Sequence, residues 1–386
     1  MRALTYLDNG ATSFPKPACV YRELDRCVRT YCGNAGRASH TLSVAASEKI
    51  YECRSVIAQL VGLSKPERVV FTYNTTYAIN TALYGVLNRG DHVITGKTEH
   101  NAVMRPLKSM EKEGMIALSQ VDTCNTDELI KHLSVLINPK TRAVVLSHAS
   151  NVLPIVLNMG KIGALCRSKG VLFIADCAQS AGLHRIDMEN DNIDIVCLPS
   201  HKGLLGIQGA GALCIGENVD EKRIRPVFQG GNGVMSQSYF MSELLPERLE
   251  SGTLSAPAIA SLCEGAKYVL KVGYDNILSS VSSLSDSAFE RLSSIKGVTV
   301  YSIPNGAEHK SSVLFNLNGI PSETLASELD KRSVCVRGGL HCAPDAHRYI
   351  GTQHNGAVRA SFGVFNTASD VEKLYASVKD IAVRGL

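Results

Sequence analysis

Much that would narrow a function quickly is missing from this 386-residue sequence. No segment approaches the roughly 20 consecutive apolar residues that a helix needs to cross a bilayer. The opening stretch, MRALTYLDNGATSFPKP, has no apolar core of the signal-peptide kind, so a cytoplasmic protein without membrane contact is expected. Runs of Lys and Arg are lacking too: 40 basic residues stand against 36 acidic ones, scattered to a net charge of +4. Nothing there tracks a phosphate backbone, and nucleic acid is not implied. The 12 cysteines contain no C-x-x-C pair, and a chain of this length needs no staples, so most thiols should be reduced and buried. Cys335, Cys342, His347 and His354 fit none of the common zinc spacings, and no metal is expected. Internal repeats, low-complexity tracts and Pro/Gly/Ser-rich linkers are absent as well.

What is present is an ordinary globular composition, 45% hydrophobic and 20% charged, with length for two or three domains and a large core. Short apolar runs recur at VVFTY (69–73), HVIT (92–95), AVVLS (143–147), VLFIA (171–175), DIVCL (194–198) and GALCI (211–215), several with helix-like segments between them. Runs apolar on both faces suit strands of a largely parallel sheet covered by helices. Polar clusters follow these runs directly: NTT (74–76), KTEHN (97–101), HASN (148–151), DCAQ (176–179) and SHK (200–202). Ligands of open α/β sheets bind beyond the carboxyl ends of the strands, so the clusters point to one site on one edge. An irregular stretch from about 216 to 255 precedes helical segments near 257–295 and 321–332, which surround VTVYSI and SVLFNL.

Each cluster admits a chemical and a plain reading. Asn74 is a plausible N-cap for a helix running through Ile79, Ala82, Leu83, Val86 and Leu87, which would put Thr75 and Thr76 where free N–H groups favour a phosphate, or simply among ordinary caps. Asp176, leaving a buried strand, needs a cation; a protonated pyridine nitrogen of pyridoxal phosphate would serve, and so would a helix N-terminus. Lys202, between Ser200 and His201 and a glycine-rich stretch, suits an amine that forms a Schiff base, or a loop lysine reaching solvent. His100 could lie on an aromatic ring and move protons. Arg359 offers a fork for a carboxylate, or a surface ion pair. Cys342, in VCVRGGLHCAP, is a nucleophile, a metal ligand or a small buried apolar group.

The ordered set YLDNGATSFPKP, NAGRASHTLS, NTTYAIN, TEHNAV, HASN, IADCAQSAG, PSHKGLLG, LESGT, VRGGLHCAP and VRASFGVFNT resembles the class V aminotransferase family of fold-type I pyridoxal-phosphate (PLP) enzymes. Within it, the resemblance is to the SufS-like group of cysteine desulfurases and selenocysteine lyases. The resemblance implies an α/β fold: a large domain over residues 16–255, with a mostly parallel seven-stranded sheet between helices, and a small α/β domain from residues 1–15 and 256–386 carrying the Cys342 loop and Arg359. It makes Lys202 the Schiff-base lysine, Asp176 the partner of the pyridine nitrogen, Gln179 the donor to the ring hydroxyl and His100 the stacking residue. Thr75, Thr76, Ser200 and His201 would hold the phosphate, with Thr253 reaching the cofactor of the partner in a homodimer. Asn151 and Arg359 would grip the substrate carboxylate, with Arg337 and His40 also on the substrate side. Cys342 becomes the persulfide-forming thiol, favoured as thiolate by Arg337 and by His341.

The implied activity is conversion of L-cysteine to L-alanine, with sulfur passing to Cys342 and then to a thiol acceptor. Selenocysteine lyase, another PLP-dependent transamination or β-elimination, and a catalytically silent scaffold are the alternatives. The chain departs from the family pattern at three places: Pro154 in NVLPI, Ile207 where the pattern has proline, and Asp345 three residues beyond the thiol, which would oppose a thiolate if it pointed inward.

Overall fold

The computed structural model describes residues 4–37, 39–234, 237–301 and 311–384. The strands are β1 (Thr5–Tyr6), β2 (Val69–Thr72), β3 (Asp91–Gly96), β4 (Ile116–Val121), β5 (Thr141–Ser147), β6 (Leu172–Asp176), β7 (Ile195–Pro199), β8 (Gly211–Ile215), β9 (Val298–Tyr301), β10 (Ser312–Leu317), β11 (Val334–Cys335) and β12 (Val358–Ser361). Seven form one sheet in the order β2-β8-β7-β6-β5-β3-β4. Only β8 runs against its neighbours in that sheet.

The six expected runs are all strands of this sheet, and their two-sided apolarity has a direct cause. Val93, Ala143, Val145, Ile174 and Ile195 face one core, while Ile94, Val144, Leu146, Phe173 and Val196 face another on the opposite side. Successive side chains of a strand alternate faces, so a sheet covered on both sides must be apolar at every position. The seventh strand, β4, matches no such run, because this edge strand is left partly open to solvent along its middle, unlike β2 at the other edge. Only its ends, Ile116 and Val121, are buried.

The parallel strands all end on the same edge, which places the polar clusters after β2, β3, β5, β6 and β7 together. The irregular stretch after β8 is observed, with a short 3-10 turn at Glu221–Arg223. Helices Ala256–Val272 and Tyr274–Ser293 follow, divided at Gly273 with φ 86°.

A third core gathers Leu7, Val313, Phe315, Val358 and Ala360 with residues of helices Tyr274–Ser293 and Ala368–Arg384. Strands β12-β10-β9 form one small sheet, and β1 pairs in parallel with β11. Residues near the amino terminus are thus built into the carboxyl-terminal part of the chain. Among the described residues, no helix is long and apolar enough to cross a membrane.

Candidate active site

Lys202 follows β7 by three residues, in a stretch whose backbone tolerates no added bulk. A Cβ on Gly203 would stand 2.2 Å from the Ala181 carbonyl oxygen, so glycine at 203 lets the loop lie against the neighbouring chain and aims Lys202 back over the sheet edge. Protein crowds the ammonium, although the side chain keeps some exposure to a cavity of about 100 Å³. Burial pulls its pKa down from 10.5 to about 8; Asp176 opposes the drop, and Arg359 and Arg337 add to it.

Asp176 closes β6 and lines the same cavity. Its Oδ1 accepts from the Ala178 N–H at 2.9 Å, and burial raises its pKa, with Lys202 pulling the other way. A carboxylate held so far from water calls for a cation. Beside it, Glu99 is buried and pushed up to about 7, chiefly by desolvation. It accepts from the Ser147 N–H at 3.0 Å and from the Ser147 hydroxyl, and so ties the loop after β3 to the end of β5.

Opposite Lys202 lies a set of polar atoms that the chain itself leaves unused. Thr75 Oγ1 and His201 Nδ1, on residues that line the cavity, are each buried without a hydrogen-bond partner. Ser200, expected to hold the phosphate, does not line the cavity, and its Oγ lies against Gly206. Asn74 does cap the Thr75–Val86 helix, its Oδ1 accepting from the Tyr77 N–H at 3.1 Å. Because Asn74 does the capping, Thr75 remains free. A spare hydroxyl and a spare ring nitrogen beside a helix N-terminus are a fitting cradle for a phosphate. Thr76 sits at the same terminus but is exposed.

His100 caps the Asn101–Lys112 helix, its Nδ1 accepting from the Ala102 N–H at 3.0 Å. The proton therefore resides on Nε2. Burial, with the charges of Lys202, Arg337, Arg105 and Arg359, lowers its pKa to about 4. A neutral, fixed imidazole lining the cavity suits stacking on a flat ring. Gln179 also lines the cavity, with its amide donating to the Gly10 carbonyl at 3.0 Å.

Cys342 is exposed and stands in a turn where both it and His341 adopt left-handed backbone, φ 59° and 52°. The Asn101 N–H donates to the Cys342 carbonyl at 2.8 Å, and Asn151 Nδ2 donates to the His341 carbonyl at 2.6 Å. Arg337 Nη2 lies 4.0 Å from Cys342 Sγ. His341 does not supply the second cation expected of it: burial, then the charge of Arg359, lowers its pKa to about 3, and its ring bonds to His347 and to the Arg337 carbonyl. Asp345 pairs with Arg348, so its charge is committed elsewhere.

Arg359 is buried, donating to Asp8 Oδ1 at 3.1 Å and to the Asn151 carbonyl at 2.8 Å, and its Nε has no partner. It lies against Gly10, where an added Cβ would come within 2.9 Å of Cζ. The structure thus brings Thr75, His100, Asn151, Asp176, Gln179, His201 and Lys202 onto one cavity, with Arg337, Arg359 and Cys342 at its side.

His40 is exposed and caps the Thr41–Val61 helix, and it does not line this cavity. Neither does Thr253, which lies on two other concavities of about 480 and 250 Å³. Three residues of the site carried no role in the sequence. Asp8 and Lys16 sit inside YLDNGATSFPKP and Glu99 inside KTEHN, and the placement of those motifs was their only signal. Lys16 donates to Ser13 Oγ at 2.7 Å and to the His201 carbonyl at 3.0 Å, and burial pulls it down to about 8.

The departures from pattern have local explanations. The Ile207 N–H donates to Ser261 Oγ at 3.0 Å, a bond proline could not make. Pro154 sits in a turn closed by the Ser150 N–H to the Ile155 carbonyl at 3.0 Å.

The aminotransferase class-V family model matches residues 5–374. The chain is 29% identical to a probable cysteine desulfurase of Methanothermobacter thermautotrophicus, across 100% of this chain and 96% of that protein. It is likewise 29% identical to a probable cysteine desulfurase of Staphylococcus aureus, across 98% and 92%. Among solved structures, the apo cysteine desulfurase of Thermococcus onnurineus superposes with a TM-score of 0.90 at 29% identity, covering 99% of this chain and 95% of that one. The cysteine desulfurase CsdA of Escherichia coli, at 24% identity and a TM-score of 0.88, shares the fold over 99% and 95%.

Proposed function

The chain belongs to the aminotransferase class-V family, and from that premise we propose that it is a PLP-dependent cysteine desulfurase, releasing L-alanine from L-cysteine and taking the sulfur onto Cys342. One observation carries the reading: Lys202, Asp176, His100 and Asn151 line one cavity, and Asn151 and Asn101 beside it bond the carbonyls of the turn that bears the exposed Cys342.

The residues present fit the cofactor. Thr75 and His201, whose polar atoms lack partners, would hold its phosphate together with Thr76, and Asp176 would keep its pyridine nitrogen protonated. His100 would lie on the ring, and Gln179 would reach the ring hydroxyl with the amide hydrogen not given to Gly10. Bound there, PLP supplies an aldehyde for Lys202 and an electron sink that makes the substrate Cα proton acidic.

The chain's own part follows from its geometry. Arg359, whose Nε is spare, and Asn151 orient the substrate carboxylate. Lys202 Nζ, neutral in part near pH 8, accepts the proton from Cα. Cys342 Sγ attacks the substrate sulfur: the Sγ–S bond forms as Cβ–S breaks, Cβ takes up a proton, Lys202 returns a proton to Cα, and alanine leaves behind a persulfide. Arg337 is the cation beside the sulfur as this charge moves. A thiol acceptor then collects the sulfur.

Three further features belong to this proposal. Tyr73, Tyr77, Phe228, Tyr239 and Phe240 are exposed, and Thr253 lies away from the Lys202 cavity; both support a homodimer in which Thr253 reaches the partner's cofactor. The large sheet within residues 69–215 and the separate third core support a division into 16–255 and 1–15 with 256–386. The twelve unpaired cysteines support a reducing, cytoplasmic setting.

The test is to load the protein with PLP, supply L-cysteine or L-selenocysteine, and measure alanine with sulfide or selenide, with and without a thiol reductant. Alanine from cysteine, lost in Cys342→Ala, sustains the proposal. Selenium release that survives Cys342→Ala while sulfur release does not would make it a selenocysteine lyase. Keto acid or pyruvate would indicate transamination or β-elimination. Protein that never acquires the cofactor's yellow absorbance would be a scaffold.

A further inference from the structure

The turn bearing Cys342 stands on three buried polar side chains that the reaction above does not use. His341, His347 and Thr352 are 4%, 0% and 5% exposed. His341 Nε2 lies 3.1 Å from the Arg337 carbonyl oxygen, His341 Nδ1 lies 3.0 Å from His347 Nε2, and His347 Nδ1 lies 2.8 Å from Thr352 Oγ1. The two rings are nearly parallel, 15° apart with centroids 5.2 Å distant.

The direction of these bonds is fixed by elimination. A carbonyl oxygen only accepts, so His341 carries its proton on Nε2. Burial holds both rings neutral, with pKa values near 3 for His341 and near 4 for His347. A neutral ring has one donor and one acceptor, so His341 Nδ1 accepts from His347 Nε2–H, and His347 Nδ1 accepts from the Thr352 hydroxyl. Donation runs one way, from Thr352 through both histidines to the backbone of Arg337.

That end point matters because of what it spans. The chain grips residue 337, whose guanidinium neighbours the sulfur, and residue 341, which adjoins it. At the end of that span the backbone reaches left-handed values at His341 and Cys342, which side chains other than glycine resist and which persist only when surroundings over-determine them. The Asn151 and Asn101 bonds hold the two carbonyls of the turn, and the histidine chain holds it from below. A pair of apolar side chains would fill the same space without touching the Arg337 carbonyl.

We propose that Thr352, His347 and His341 form a positioning chain that sets Cys342 Sγ and the Arg337 guanidinium in their working arrangement; this rests on Cys342 being the sulfur-accepting thiol. None of the three touches the reacting atoms. Their effect is on how often the thiol is in place.

The experiment compares Thr352→Val with Thr352→Ser, both close in shape, and adds His347→Leu. In the PLP-loaded enzyme, Thr352→Val is expected to lower kcat for alanine release roughly tenfold with KM within about twofold, as misplacement of a reacting group does. Thr352→Ser, which keeps the hydroxyl, restores kcat. A second readout uses apo-protein in a Cys32→Ser background, where the rate of Cys342 alkylation by iodoacetamide should fall in Thr352→Val and not in Thr352→Ser. A structural role alone would shift the urea midpoint of Thr352→Val and leave its alkylation rate and kcat unmoved. A Thr352→Val enzyme that matches wild type in both readouts overturns the proposal, whatever happens to the folding of His347→Leu. If wild-type enzyme makes no alanine from cysteine, the functional reading fails on its own, and alkylation alone decides the positioning chain.

Discussion

Replacing Lys202 by Met tests the electrostatic origin of the site most directly. An ordinary lysine titrates near 10.5, and crowding brings this one to about 8. Each unit is worth about 1.4 kcal/mol, so the folded apo-protein carries up to about 3 kcal/mol of penalty for its ammonium, less where cavity water screens it. The sign follows from proton counts. Between about pH 8 and 10.5 the unfolded chain binds the proton that the folded state has released, so the stability difference changes across that window.

Below pH 8 the penalty is present in full, and Lys202→Met should be more stable than wild type by about 2–3 kcal/mol. The advantage should shrink as pH rises and vanish by about 10.5. Denaturant unfolding of apo wild type and variant from pH 7 to 10.5 reads the difference directly. The same lowering predicts capture of PLP: at pH 7 about one amine in ten is neutral, against about one in three thousand for an unperturbed lysine. The capture rate should rise with pH and level off above about 8. A pH-independent stability difference, or a capture rate still climbing tenfold per unit at pH 9, would refute the argument.

Three other outcomes are expected. Cys342→Ser should retain the cofactor's absorbance and lose persulfide formation, read by mass spectrometry after incubation with cysteine; a persulfide recovered elsewhere on the protein would contradict the assignment. Gly10→Ala would press a methyl group against the Arg359 guanidinium, raising KM for cysteine by roughly tenfold while the spectrum stays unchanged; an unaltered KM would remove Arg359 from carboxylate binding. Glu250→Ala would strip the buried Arg54 of its partner at 2.5 Å and the Phe71 N–H of its acceptor, costing about 3–5 kcal/mol in urea unfolding; a loss below about 1 kcal/mol would contradict it.

Six strands of the large sheet were legible because burial on both faces leaves an unbroken apolar run, whereas β4, solvated along its middle, leaves none. Lys202, Asp176, Thr75 and His100 were legible because each follows a strand at the same edge, where position along the chain and position in space coincide. The roles of Asp8, Lys16 and Glu99 were not. Each acts on a partner far away in sequence: Asp8 on Arg359, Lys16 on the His201 carbonyl, Glu99 on Ser147. The charge of His341 was misjudged for a related reason. Adjacency to Cys342 suggested an imidazolium, but burial against His347 decides its protonation, and burial is a property of the fold.

The distribution of sulfur across the molecule has a practical consequence. Seven of the twelve thiols are sealed inside, three are half-covered, and only Cys32 and Cys342 are open to water. Cys177, next to Asp176, and Cys197, in register with it, are also pushed far up in pKa by burial, which would keep them inert toward an activated sulfur atom. If the proposed sulfur transfer holds, such a catalyst must guard its own cysteines from an activated sulfur, and the hydrophobic interior would act as the insulation, leaving Cys342 as the outlet beside Lys202.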